Sequence, residues 1–475
     1  MKIVNSHPLP RLMVAGLTGG SGKTLVSMSL LIAARRSGVP VCGFKKGPDY
    51  IDSNWLSWAS RCRARNLDSY LMGFDRAAAS FEATACGGFN LVEGNRGVFD
   101  GLDAVGTHSS AALAKRLQLP VILVLNVTKV TRSAAAFVLG ARALDPELNI
   151  AGIVLNNLNG RRHERVVRDA IASACDIPVV GAVPRLDISE LVPERHLGLV
   201  TPEEFPVLSA LEHQLGEIAS HNVDLDAILR IAATAPPLTI TPLPETTCRC
   251  GSGLKIAYIK DRAFSFYYAE NLEAIERSGA QLVEISALSN SELPPDINAL
   301  YVGGGFPETQ AVTLRANESF LRSLRNAAER GLPIYAECGG LMLLSHSILW
   351  KGKSFPMANV FPFDVQVQST KQGHGYTELQ VDHPNPFFEM GTSLRGHEFH
   401  YSHVVLEGTV PATACAVRRG TGIGNNRDGL ITKNVFGSYT HLHSLATPEW
   451  ANGLLKAARR YADSHATLAV VSEKA

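Results

Sequence analysis

Gly16-Leu17-Thr18-Gly19-Gly20-Ser21-Gly22-Lys23-Thr24 lies between a short apolar run, residues 12–16, and an amphipathic helical pattern, residues 25–36. Strand, glycine-rich loop and helix in that order make a phosphate cradle. Glycines such as Gly20 and Gly22 let backbone N–H groups curl around anionic oxygens, and the helix N-terminus adds a favourable dipole. Lys23 is then set to reach terminal phosphates and the Thr24 hydroxyl to hold Mg2+. The loop is one residue longer than the usual G-x4-G-K-[ST], with Leu17 where the first glycine is expected and Gly16 one place earlier.

Working outward, further apolar runs at 39–44, 89–93, 120–126, 150–156 and 178–183 alternate with helical patterns. Such spacing leaves room for a crossover helix after each strand and predicts an α/β domain with a doubly wound parallel sheet. Two acidic segments follow the second and third runs directly: Lys45-Lys46-Gly47-Pro48-Asp49-Tyr50-Ile51-Asp52 and Glu93-Gly94-Asn95-Arg96-Gly97-Val98-Phe99-Asp100-Gly101. Carboxyl ends of strands line the ligand crevice of such a sheet. Asp49, Asp52, Glu93 and Asp100 are therefore expected to converge with Thr24 on magnesium, although Asp and Gly also serve as ordinary turn formers.

The chain has 475 residues, enough for two or three domains. Hydrophobic residues at 45% and charged residues at 19% exclude a disordered or fibrous chain. Lys and Arg number 45 against 44 Asp and Glu, so the broad basic surface of a nucleic-acid binder is missing. Eight scattered cysteines form no disulfide framework and no Cys-x2-Cys zinc pair. No apolar run reaches the ~18 residues of a membrane span, and residues 1–10 lack a signal-peptide core. A cytoplasmic enzyme with small-molecule partners, and with neither nucleic acid nor membrane, is the expectation. The oligomeric state is left open, a homodimer among the options.

Residues 232–253 read AATAPPLTITPLPETTCRCGSG, a Pro- and Thr-rich texture without periodicity. The expected division is 1–235 for the phosphate-loop domain, 236–253 for a linker, 254–465 for a second domain and 466–475 for a loose tail. The second domain opens with strands at 255–260, 281–285, 299–302 and 333–337, a helix over 266–278, and β-structure from Gly375 onward.

Glu337-Cys338-Gly339-Gly340 ends the fourth of these strands where a helix, residues 341–347, begins. A nucleophile on a sharp strand-to-helix elbow is pushed out of the sheet, and the helix N-terminus favours its thiolate. The Gly339 N–H and a donor from Gly303-Gly304-Gly305, taken as Gly304, would form an oxyanion hole. A buried cysteine can also be only a small hydrophobe, but the two glycines argue for the elbow. His441 and His443 supply candidate bases on one extended segment. Arg395-Gly396-His397-Glu398-Phe399-His400-Tyr401-Ser402 mixes basic, acidic and aromatic groups, a pattern that serves a solvated strand as well as a site.

From about Arg11 to Leu455 the chain resembles the cobyrinate a,c-diamide synthases, glutamine-dependent amidotransferases of the cobalamin pathway. The carriers are the long phosphate loop 16–24, residues 47–52, 93–101 and 193–199, GGGFPE at 303–308, AECGGL at 336–341, RGHEFHYS at 395–402 and residues 438–443. The resemblance implies a dethiobiotin-synthetase-like ATP domain fused to a class I, triad-type glutamine amidotransferase domain. ATP would activate the a and c acetate carboxylates of cobyrinate as acyl phosphates, and ammonia from glutamine would amidate them. It further implies Cys338 as nucleophile and His441 as base, with His443 where other triads carry their acid. Lys23, Thr24, Lys45 and, at the base, Asn156 would serve ATP. Glu93 with Asp49 or Asp52 would hold magnesium, and Asp49, Tyr50, Ile51, Asp52 and Asp100 would face the corrinoid.

The chain departs from the family pattern at Ser53-Asn54-Trp55-Leu56, at Asn95-Arg96 and at Asn126. These departures bear on the macrocycle, so a,c-diamidation of hydrogenobyrinate or nickel-sirohydrochlorin stands beside cobyrinate. A reading of another class is a nucleotide-switched binding module with an inactive amidotransferase domain.

Overall fold

Arg11–Gly16 (β1) is buried at every position, so it needs cover on both faces. That cover is part of a computed structural model describing residues 3–4, 9–186, 194–195, 198–242, 249–406 and 412–472. Pro193, His196, Leu197 and Cys248 lie outside the described residues. Two units, Met1–Pro244 and Glu245–Ala475, divide the chain.

In the first unit β1 is joined by Val41–Lys46 (β2), Arg65–Leu67 (β3), Phe89–Glu93 (β4), Val121–Asn126 (β5), Ile150–Leu158 (β6) and Val179–Pro184 (β7). Their order is β3-β2-β4-β1-β5-β6-β7, every neighbouring pair parallel. The loops after β1, β2 and β4 therefore open on one edge beside the point where the winding reverses. Only β3 goes unmarked in the sequence, because three residues show no periodicity.

Helix α1 (Lys23–Arg36) is not amphipathic as expected: Ser27 and Ser29 are buried along with its leucines. It packs against the sheet and against the helices α2 (Tyr50–Ser60), Leu208–Asn222 and Leu225–Ala233, which leaves no wide solvent face. The 53–56 departure falls inside α2, where Trp55 is fully buried and its Nε1–H donates to the Val200 carbonyl at 2.9 Å. Asn126 forms a local turn, accepting from the Thr128 N–H at 3.0 Å and hydroxyl at 2.7 Å.

In the second unit a ten-stranded sheet begins with five parallel strands in the order Gln281–Ile285, Lys255–Ile259, Ala299–Val302 (β8), Ile334–Glu337 (β9) and Val435–Ser438 (β10). It continues antiparallel through Arg427–Thr432, Thr413–Arg419, Gly373–Val381, Ser393–His400 (β11) and His441–Leu442 (β12). Val302, Ala336 and Leu341 fill the core on one face, and Tyr301, Tyr335 and Trp450 fill it on the other. The helix expected over 266–278 spans Ala269–Arg277. The final helix runs from Glu449 to Ser472, where a loose tail was expected from residue 466.

Thr239–Ile240, within the expected linker, pairs antiparallel with Ile3–Val4. Arg11, 1% exposed, clasps the same end of the first unit. Its guanidinium donates to the carbonyls of Leu117 at 2.9 Å, Leu9 at 3.1 Å and Pro236 at 2.5 Å. Arg11→Ala would leave buried carbonyls without donors. We expect it to destabilise the first unit by about 2–4 kcal/mol, measured as a lower denaturant midpoint for that unit.

Candidate active site

The glycine loop of the first unit is braced from inside the sheet. Gly22 caps α1 with φ 91°, and a side chain there would meet the Asn156 Nδ2 at 2.1 Å. Asn156 itself is buried and donates to the Ser21 carbonyl at 2.9 Å. The residue expected to serve the nucleotide base thus also holds the loop through one of its two amide N–H groups. Lys23 Nζ rests on the Thr18 carbonyl at 3.2 Å. Burial, and then the neighbouring Lys45, depress its ammonium below the ordinary lysine value.

Beside the loop, β2 and β4 bring Lys45 and Glu93 together. Lys45 Nζ lies 2.7 Å from Glu93 Oε1, 2.5 Å from Asp52 Oδ2 and 3.2 Å from the Gly94 carbonyl. Burial works against the Lys45 charge, but Asp52 and Glu93 outweigh it and hold the ammonium above its usual range. The Thr24 hydroxyl donates to Glu93 Oε1 at 2.9 Å. Glu93 Oε2 is buried with no hydrogen-bond partner among the described residues, an acceptor that suits a cation.

The other three acidic residues have partners of their own: Asp52 shares Lys45 with Glu93. Asp49 caps α2 by accepting the Asp52 N–H at 2.8 Å, and burial with the adjacent Asp52 pushes its carboxyl up to about 7. Asp100 accepts the Gly97 N–H at 2.9 Å and closes the turn of its own loop. Among the described residues no group of three or more His, Cys, Asp or Glu is set to enclose a metal. Tyr50 and Ile51, expected to face a corrinoid, are 5% and 6% exposed and belong to the core. Asn66, overlooked in the sequence, holds the 47–49 loop by donating to the carbonyls of Gly47 at 2.8 Å and Asp49 at 2.9 Å. Asn95 occupies the space beside Gly47, where an added side chain would lie 2.9 Å from its amide.

In the second unit Cys338 has φ 48° and ψ −98°, a strained conformation for a non-glycine residue at the end of β9. The turn is this tight because Gly340 lies over β8, where an added Cβ would sit 2.4 Å from the Val302 carbonyl. An added Cβ on Gly339 would lie 2.9 Å from the Gly305 nitrogen, and one on Gly304 would lie 2.6 Å from His441 Cε1. Gly304, Gly339 and His441 are therefore gathered around the elbow. The following helix, Gly339–Leu344, does not make Cys338 a resting thiolate. Burial, and then the Glu308 charge, push the thiol up against the opposing Gly339 N–H.

His441 and His443 part company. His441 Nδ1 is 3.3 Å from Glu337 Oε2, which also accepts the Tyr301 hydroxyl at 3.1 Å, while Glu337 Oε1 accepts the Leu442 N–H at 3.1 Å. The carboxylate partner of His441 is thus the residue preceding Cys338, and nothing acidic is needed at position 443. His443 is fully buried, accepts the Leu445 N–H on Nδ1 at 3.1 Å and turns Nε2 toward Glu270 at 3.5 Å.

His397 and Glu398 are buried rather than solvated. The His397 ring stacks on His441 with centroids 5.1 Å apart, and Nδ1 lies 3.1 Å from the Tyr268 hydroxyl. Burial and the neighbouring His441 keep His397 neutral, well below the usual histidine range. Glu398 accepts the Thr421 and Gly422 N–H groups at 2.6 and 2.9 Å.

Asp428 and Asn271, both missed in the sequence, fix the histidine segment. Asp428 accepts the Ser438 hydroxyl at 2.8 Å, the Tyr439 N–H at 3.2 Å and the Thr440 N–H at 3.3 Å. Asn271 donates to the Leu442 carbonyl at 2.8 Å and accepts the Ser444 N–H at 2.7 Å.

Residues 12–200 match the CobQ/CobB/MinD/ParA nucleotide binding domain family, and residues 255–449 match the CobB/CobQ-like glutamine amidotransferase domain family. A cobyrinate a,c-diamide synthase of Magnetococcus marinus is 40% identical over 94% of this chain and 96% of its own. Proteins of the same name from Dehalococcoides mccartyi and Archaeoglobus fulgidus are 38% and 36% identical, each over 95% of this chain and over 99% and 98% of their own. No helix among the described residues is long and apolar enough to cross a membrane.

The Asn156 brace makes a specific demand. Asn156→Ala removes one buried hydrogen bond from the phosphate loop, and we expect ATP to bind about tenfold more weakly, as read by calorimetric titration.

Proposed function

The chain belongs to the cobyrinate a,c-diamide synthases, and from that premise we propose that it amidates the a and c acetate carboxylates of cobyrinate, consuming ATP and glutamine. Residues 1–235 bind ATP and the corrinoid, and residues 254–465 hydrolyse glutamine. The observation that carries this reading is the strained Cys338 elbow, with His441 against Gly304 and anchored to Glu337.

His441 takes the proton of the Cys338 thiol as sulfur attacks the glutamine amide carbon. A base is needed because the buried thiol holds its proton tightly. The Gly304 and Gly339 N–H groups stabilise the oxyanion, and His441 returns the proton to the departing ammonia. Water then hydrolyses the thioester to glutamate. Glu337 is a positioning residue that orients the His441 ring and balances its charge, and the neutral His397 supports the ring from one face.

A carboxylate resists amidation until an oxygen is turned into a leaving group, which phosphoryl transfer from ATP achieves. Lys23, set free from the Thr18 carbonyl, and Lys45 bind the phosphates, with Gly20 and Gly22 shaping their cradle. A corrinoid acetate oxygen attacks the γ-phosphorus, and ammonia then displaces phosphate from the acyl phosphate. Thr24 and Glu93 are the residues that would hold Mg2+, which would supply charge neutralisation at the phosphates. The half-exposed edge around Asp52 and Asp100 receives the corrinoid, while Tyr50 and Ile51 shape it from within.

The decisive assay offers cobyrinate, hydrogenobyrinate and nickel-sirohydrochlorin in turn with ATP and glutamine and follows the diamide by mass spectrometry. Cobyrinate diamide is expected. Turnover of another macrocycle but not cobyrinate would correct the substrate, and no turnover of any would overturn the activity. In Cys338→Ser, glutamine-dependent synthesis should vanish while high ammonium still supports it. Glu337→Gln should lower kcat for glutamine hydrolysis about 100-fold, with KM and ammonium-dependent synthesis little changed; a matching loss with ammonium would mean a purely structural role.

A further inference from the structure

The helix between β5 and β6, Ser133–Leu144 (α3), reads SAAAFVLGARAL, in which only Ser133 and Arg142 are polar. A helix on a protein surface ordinarily keeps a polar stripe for water. Ala134, Ala135, Val138 and Ala141 face inward and are buried. The opposite face carries Ala136, Phe137, Gly140, Ala143 and Leu144, all of them exposed, with Leu139 at its flank. Leu144 is 69% exposed. Their spacing lines them up along one side of the helix, so they form a continuous apolar patch rather than scattered exposed residues.

The charges around this patch are sorted by end. The next helix, Arg161–Ala172 (α4), packs on α3 and runs in the same direction, since both return between parallel strands. At their amino ends Lys129, Arg132, Arg161 and Arg162 are exposed, and His163 Nε2 of α4 lies 2.6 Å from the Val130 carbonyl just before α3. Beyond their carboxyl ends come Asp145, Glu147 and Asp176. Lys115 holds Asp145 at 2.9 Å and reaches Glu147 at 3.3 Å, yet Glu147 stays 82% exposed. Asp176 accepts from Arg142 at 3.0 Å. Cations before a helix and carboxylates after it oppose the helix dipole, so this sorting does not serve the helices themselves.

We propose that α3 is the surface through which two copies of this chain associate, packed antiparallel about a twofold axis at Gly140. Such an axis relates positions equally spaced on either side of it. Phe137, three residues before Gly140, meets the partner's Ala143, three after, and Leu144 meets the partner's Ala136. Each large side chain thus faces a small one, and Gly140 lets the two backbones approach at the centre. The same operation sets Arg132 beside the partner's Glu147 and the basic end of each layer against the acidic end of the other. A parallel pair would bring like ends together. A second copy is the occupant because both the shape and the charge of this face are self-complementary. A pair of 12-residue helices is smaller than the standard interface of about 800 Å² per partner, which sets the association in the micromolar range.

Sedimentation velocity of the full-length protein should show monomer converting to dimer as the concentration rises through that range. Leu144→Glu, a change at an exposed site that should leave the circular dichroism spectrum unaltered, is expected to weaken the dimer about 100-fold. Arg132→Glu and Glu147→Arg should each weaken it about tenfold, and the two together should restore it. Monomer at every concentration would overturn the proposal and leave the face to a partner of another kind. A dimer that tolerates Leu144→Glu would overturn it too, as would a double charge variant no tighter than the single ones.

Discussion

A glutamate buried at the carboxyl end of a central parallel strand organises each unit. Glu337 ends β9 and ties His441, the Leu442 N–H and the Tyr301 hydroxyl to the residue that precedes Cys338. Glu93 ends β4 and ties Lys45 to Thr24 of the phosphate loop. Both side chains are fully buried. A carboxylate in such a place is tolerable only when donors surround it, so the loops that supply those donors are fixed in turn.

The two glutamates differ in their partners. Glu337 is met by neutral donors and an imidazole, whereas Glu93 shares a buried ammonium with Asp52. Removing one member of a buried ion pair costs about 3–5 kcal/mol, so Lys45, Glu93 and Asp52 constrain one another closely. The Asp52 end of that network is the more exposed one, which leaves it the side most open to exchange of partners.

Much of this was legible in the sequence because it is local. The strand, glycine loop and helix around 16–24, the parallel series that follows and the elbow at Cys338 are contiguous patterns, and the structure holds each of them. The misses are non-local. Glu337 was in plain view beside Cys338, but its histidine lies 104 residues away, and no spacing rule joins them. Asn156 also reaches a loop 135 residues earlier, a brace that no local pattern announces. Tyr50 and Ile51 come with the 47–52 block as part of the resemblance, and the start of α2 holds both side chains inside the unit. Residues 466–472, ATLAVVS, are too few to show a helical period by themselves, yet the helix continues through them to Ser472.

Arg11 closes on the Pro236 carbonyl across 225 residues, and the Thr239–Ile240 backbone pairs with Ile3–Val4 near the start of the chain. During synthesis the ribosome delivers the phosphate loop early, yet the Pro236 acceptor of this clasp is missing until the end of the unit has emerged. The N-terminal half therefore completes itself only as the segment leading into the amidotransferase half leaves the exit tunnel. Folding of the first unit and arrival of the second are placed in sequence by one arginine.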